Sequence, residues 1–128
     1  MKIRVYYEDT DCGNVVYYAN YLKYMERSRT ELLRENGIEL AELHKKGLIF
    51  AVVEAHVKYR APARYNDLLD VESRVTEMST VSLTFHTTIK NRAGHLLVTG
   101  DIKLACLNSN NKAIRIPDEI SETFTAAC

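Results

Sequence analysis

Apolar and polar residues alternate from the first positions of the chain. Ile3, Val5 and Tyr7 fall on one side and Arg4, Tyr6 and Glu8 on the other, which predicts a half-buried strand from Lys2 to Glu8. The cluster Asp9-Thr10-Asp11-Cys12-Gly13-Asn14 follows. Its residues tolerate positive φ or bond their own backbone, so it reads as a turn. The period then changes to three and four. Tyr18, Tyr21, Leu22, Met25, Ser28, Leu32 and Leu33 form one stripe, opposed by Lys23, Arg27, Thr30, Arg34 and Glu35. This predicts an amphipathic helix from about Tyr18 to Asn36, stopped by Gly37 and ~28 Å long. A short second helix from Glu39 to Lys46 ends at Gly47.

Further along, the period returns to two. Ile49, Ala51, Val53, Ala55, Val57 and Tyr59 oppose Glu54, His56, Lys58 and Arg60, and Ala61-Pro62-Ala63 interrupts the run. Leu69, Val71, Ser73 and Val75 mark another strand, and Val81, Leu83, Phe85, Thr87 and Ile89 the next. Asn91-Arg92-Ala93-Gly94 reads as a hairpin loop, and Leu96, Val98, Ile102, Leu104 and Cys106 mark the last long strand. One long helix followed by consecutive strands predicts an α+β fold with a five-stranded antiparallel sheet, in one domain over residues 1–128. A single helix covers only one face of such a sheet. The open edges and the remaining face predict at least a homodimer.

Composition narrows the picture. The chain carries 17 Lys+Arg and 17 Asp+Glu, a formal charge of zero, which argues against a general nucleic-acid binder. No apolar run approaches the ~20 residues that span a bilayer, and the N-terminus is acidic by Glu8 where a signal peptide would be apolar. A soluble, cytoplasmic protein without membrane insertion is expected. Cys12, Cys106 and Cys128 are widely spaced, and His44, His56, His86 and His95 show no ligand spacing, so neither a disulfide framework nor a metal is expected.

Chemistry concentrates at Asp11. It lies between a strand end and the start of a long helix, where unpaired N–H groups and the positive dipole end attract negative charge. A carboxylate beside such an oxyanion site is a minimal apparatus for hydrolysing an activated acyl group. Asp before a helix is equally a routine cap or turn residue, and spacing alone leaves both readings open. Cys12 shows no neighbouring base that would make it a nucleophile. Glu26 and Arg29, three apart, read as a local surface pair, and the tyrosines at 17, 18, 21 and 24 as packing residues.

Tyr7-Glu8-Asp9-Thr10-Asp11, then Val15-Val16-Tyr17, Asn20-Tyr21-Leu22 and Glu26-x-x-Arg29, resemble the signature of hotdog-fold acyl-CoA thioesterases, in the branch of 4-hydroxybenzoyl-CoA thioesterase and YbgC-type enzymes. Val53 to Tyr59 and Ala63-Arg64-Tyr65-Asn66-Asp67 fit as well, so the resemblance runs from about Ile3 to about Pro117. It implies a five-stranded antiparallel sheet wrapped around one long helix, dimerised into a continuous sheet and often tetrameric. It also implies an acyl-CoA substrate and no further cofactor. Asp11 takes the role of nucleophile or general base, and the backbone N–H near Tyr18 polarises the carbonyl, with Val16 and Tyr17 beside the substrate. Two departures stand out: Asn14 where the family commonly has Gly, and Tyr18 where YbgC-type members commonly have His. Coenzyme A carries phosphates, and Lys58, Arg60 and Arg64 cluster around the Pro62 bend as candidate contacts. Two other functions fit the same fold: a hydratase or dehydratase using His56 or His86, and a non-catalytic acyl-ligand or protein-binding module.

Overall fold

In the computed structural model, which describes residues 1–124, five strands share one antiparallel sheet. They are β1 (Lys2–Arg4), β2 (Ile49–Tyr59), β3 (Leu68–Met78), β4 (Ser82–Lys90) and β5 (Leu96–Leu107), in the spatial order β1-β3-β4-β5-β2. The helices are α1 (Asn20–Glu35), α2 (Leu40–Lys45) and α3 (Asp118–Phe124). The arrangement is the expected hotdog fold, with α1 packed chiefly on β3 and β4. No helix among the described residues is long and apolar enough to cross a membrane.

The alternation of β3, β4 and β5 directs Leu69, Val71, Val75, Leu83, Phe85, Ile89, Val98, Ile102, Leu104 and Cys106 into one core beneath α1. Polar Ser28 and Thr87 are buried there too. The Ser73 hydroxyl donates to Ser28 Oγ at 2.8 Å and lies 2.7 Å from Thr87 Oγ1, so the three hydroxyls satisfy one another between helix and sheet. α1 buries Tyr21, Tyr24, Met25, Ser28 and Leu33. It ends where Gly37, at φ 79°, donates its N–H to Arg34 O while Ile38 N–H closes on Leu33 O.

Four features depart from the expected pattern. The first strand stops at Arg4, and Tyr7–Asp9 forms a 3-10 turn that leaves Tyr7 73% exposed. The Asp9 carboxylate accepts the Tyr6 N–H and Thr10 Oγ1 donates to Tyr7 O, so local side-chain bonds displace the ladder. α1 begins two residues after Tyr18, and its buried stripe includes Tyr24 while Leu22 and Tyr18 face outwards. In β2 a bulge between Val52 and Glu54 shifts the pairing with β5. One extra residue exchanges the faces: Phe50 and Val52 share the helix side with Ala55, Val57 and Tyr59, and Ile49 and Ala51 share the outer face with Glu54, His56 and Lys58. Finally, α3 adds Ile120 and Phe124 to the core, an element the pattern did not signal.

Gly100 sets how closely α1 approaches the sheet. A Cβ there would lie 2.5 Å from Met25 Sδ and 2.7 Å from its methyl carbon. Met25 is completely buried, so its thioether has little room to swing aside. Gly100→Ala is expected to destabilise the fold by ~1–3 kcal/mol in urea or thermal unfolding, as an overpacked core does.

Candidate active site

Three separate segments meet at the start of α1. Thr10 bridges Val16 across the Asp-rich turn, and Val15 bridges Arg64, joining that turn to the loop of residues 61–67. The loop is further held by Val16 N–H on Ala63 O and Asn66 N–H on Val5 O, each 2.9 Å. Tyr21, buried on α1, accepts the Ala63 N–H at its hydroxyl oxygen at 3.0 Å. Burial pushes the Tyr21 phenol up, and Tyr59, Asp67 and Asp11 add to that rise while the Ala63 N–H opposes it.

Asp11 sits on this frame with its side chain exposed. Its N–H donates to Val15 O at 2.9 Å and its Oδ1 accepts Gly13 N–H at 2.8 Å. Oδ2 accepts no hydrogen bond from the described residues. The turn closes through Asn14 at φ 62°, the left-handed region that Asn enters more readily than other non-glycine residues. Asn14 therefore takes over the expected glycine conformation.

The peptide ahead of the helix is equally defined. Tyr17 N–H donates to Asp9 O and Asn20 N–H to Tyr17 O, both at 2.9 Å, whereas the Tyr18 N–H donates to no acceptor among the described residues. Tyr18 O accepts the Tyr59 hydroxyl at 3.4 Å. Around this turn the rings of Tyr17 and Tyr18 lie 5.0 Å apart, Tyr18 and Tyr59 6.2 Å, and Tyr59 and Tyr21 5.7 Å. Val16, Tyr18, Tyr21, Tyr59, Arg60, Ala61 and Pro62 enclose a cleft of about 280 Å³. Burial pushes the Tyr59 phenol up, with Tyr18 adding to the effect, so Tyr21 and Tyr59 are protonated at neutral pH.

Of the sequence candidates, Val16, Tyr18 and Arg60 line this cleft. Tyr17 stacks beside it, and Asp11 and Arg64 lie on the two bridged segments next to it. Lys58 leaves β2 on the face opposite Tyr59. Tyr21, Tyr59, Ala61 and Pro62 complete the wall, and none carried a chemical signal in the sequence beyond packing, strand and bend. His56 and His86 flank Asp101 across three strands on the outer face, where His86 Nδ1 lies 2.8 Å from Asp101 Oδ1. That pair is turned away from α1 and the cleft. Arg29 is half-buried rather than a surface partner of Glu26; both line an apolar cavity of about 150 Å³ with Leu33, Phe50, Phe85 and Ile120. Burial lowers the Arg29 guanidinium, and Glu26 partly offsets this. Among the described residues no group of three His, Cys, Asp or Glu side chains is placed to hold a metal ion. Cys12 is exposed, Cys106 is buried, and Cys128 lies outside the described residues.

Residues 5–124 match the model of the thioesterase-like superfamily. The chain is 40% identical over 106 residues to an acyl-CoA thioester hydrolase YbgC of Escherichia coli, covering 83% of this chain and 79% of that protein. It is 37% identical over 124 residues to the acyl-CoA thioesterase YbgC of Haemophilus influenzae, covering 95% and 90%. The solved structure of BH1999 gentisyl-coenzyme A thioesterase superposes with a TM-score of 0.88 at 27% identity, covering 94% of this chain and 97% of that one.

The left-handed turn at Asn14 is open to direct measurement. Asn14→Gly is expected to keep stability within ~0.5 kcal/mol of the parent, whereas Asn14→Val should cost ~1–2 kcal/mol in thermal unfolding.

Proposed function

The chain belongs to the thioesterase-like superfamily, and from that membership we propose that it hydrolyses acyl-CoA thioesters at the Asp11 turn. The supporting observation is a carboxylate and an unclaimed amide on one frame. Among the described residues, Asp11 has one oxygen fixed by Gly13 and the other unengaged, and the bridged turn beside it leaves the Tyr18 N–H without an acceptor. A thioester carbonyl accepting that N–H at the positive end of α1 would be polarised towards the oxyanion. Asp11 Oδ2 then attacks the carbonyl to give a mixed anhydride that water opens, or takes a proton from the attacking water. In either route the C–S bond breaks, the coenzyme A thiolate takes up a proton, and the carboxylic acid leaves. Arg60 in the cleft wall and Arg64 on the adjoining loop are the candidate partners for the coenzyme A phosphates, with Lys58 behind them on the other face.

The same reading takes a second copy of the chain. β2 is an edge strand of eleven residues whose far side pairs with no strand among the described residues. On its helix side Val52 is 53% and Tyr59 48% exposed, because α1 lies chiefly over β3 and β4. An edge this long and apolar calls for pairing, and a second β2 would extend the sheet and close over the cleft.

Asp11→Asn is expected to lower thiol release from an acyl-CoA panel by about 10²–10⁴-fold with unfolding unchanged, while Tyr18→Phe stays close to the parent, because only its main chain is used. Near-full turnover in Asp11→Asn would remove the mechanism. For the assembly, light scattering is expected to give at least a dimer mass, and Val52→Asp to shift it towards the monomer.

A further inference from the structure

The Asp11 turn and the Tyr18 turn come from different stretches of chain, and a residue outside the proposed chemistry joins them. Asn20, the first residue of α1, donates its side-chain Nδ2–H to the Asp9 carbonyl at 2.8 Å. The same oxygen accepts the Tyr17 N–H at 2.9 Å, and Asn20 N–H closes on Tyr17 O at 2.9 Å. One peptide oxygen, two residues before Asp11, thus holds both ends of the Tyr17–Asn20 turn. Within that turn the Tyr18 N–H is left unclaimed by the described residues.

Local preference does not account for this placement. An Asn at a helix start ordinarily caps it, accepting the N–H of the first turn through its side-chain oxygen. Here Ala19 occupies the cap position and makes no side-chain cap bond. Asn is also a weaker helix former than Ala or Glu. The Asn20 amide, half-buried, is committed instead to a carbonyl of the preceding segment. Asp9 is itself held in place, because its carboxylate Oδ2 accepts the Tyr6 N–H at 2.8 Å. The side chain that fixes the 3-10 turn and the carbonyl that receives Asn20 belong to one residue.

We propose that Asn20 is a positioning residue: its amide keeps the Tyr18 N–H in register with the Asp11 carboxylate, so that polarisation and attack converge on one thioester carbonyl. It touches no substrate atom. This rests on the hydrolytic reading above and adds what sets the spacing between its two parts. Without the Asn20 bond the turn is held to Asp9 by the Tyr17 N–H alone. A drift of ~1 Å between reacting groups costs up to about 10²-fold in rate.

Two variants test this. Asn20→Asp keeps the size and removes the donor; Asn20→Gln keeps the amide on a longer stem. Both are compared with the parent in acyl-CoA hydrolysis, thermal unfolding and NMR amide exchange. Asn20→Asp is expected to lower kcat by about 10–100-fold while KM stays within about threefold and Tm within a few degrees, and Asn20→Gln to recover part of kcat. The Tyr17 amide should exchange faster in Asn20→Asp. A kcat within about twofold of the parent, or a loss that tracks a lowered Tm or a raised KM, overturns the proposal. Amide exchange separates this from the functional reading. If the parent cleaves no acyl-CoA, hydrolysis fails as a function, while unchanged protection at Tyr17 would overturn the clamp independently.

Discussion

Burial of one stripe of α1 against the sheet is the contact on which the rest of the structure depends. Tyr21, Met25 and Ser28 face it, and each meets a different requirement. Gly100 leaves the room into which Met25 enters, Ser73, itself paired with Thr87, donates its hydroxyl to Ser28, and Tyr21 reaches the Ala63 N–H. Each large apolar side chain buried there contributes ~1.5–3 kcal/mol. The polar bonds matter differently: they are costly to leave unmade, and so they fix the rotation of the helix about its axis. With that rotation set, the amino end of α1 has only one place to go, against the 61–67 loop and the Asp11 turn.

The cleft follows from this constraint. Its walls come from four places: Val16 after the Asp turn, Tyr18 and Tyr21 around the start of α1, Tyr59 at the end of β2, and the Arg60–Pro62 bend. No one of these segments forms a site alone. Proline at 62 ends the ladder and Ala63, completely buried, lets the loop close against Tyr21. The aromatic rings supply rigid walls with hydroxyls at their tips, and Tyr59 uses its own to hold Tyr18 O. The result is a turn in which the Tyr18 N–H has no acceptor among the described residues.

The same helix placement leaves β2 under-covered. A single helix of sixteen residues lies over β3 and β4, and the far edge of the sheet shows apolar Val52 and the Tyr59 ring to the outside. The bulge after Val52 is what turns Phe50 and Val52 to the helix side. That face adjoins the cleft through Tyr59, so whatever covers β2 also borders the proposed chemistry. The outer face of the sheet, with His56, Asp101 and His86 in one row, is polar and separate from it.

Periodicity and turn chemistry determined much of this protein from the sequence alone. The long helix and its stop at Gly37, the short helix before Gly47, the strands, the Asn91–Gly94 hairpin and the positive-φ role of Asn14 were all legible, because each is set by alternation, bonds or burial within its own stretch of chain. The motif around Asp11 carried the family. Tertiary structure decided what local patterns do not contain. It turned Tyr24 inwards and Leu22 outwards on α1. It exchanged the faces of β2 through a bulge set by its pairing with β5. It brought Tyr59 to Tyr18 across forty-one residues and Asn20 to Asp9 across eleven. Alternation reports which side of its own element a residue occupies. Which groups meet depends on how those elements pack, and packing is settled only when all of them are present.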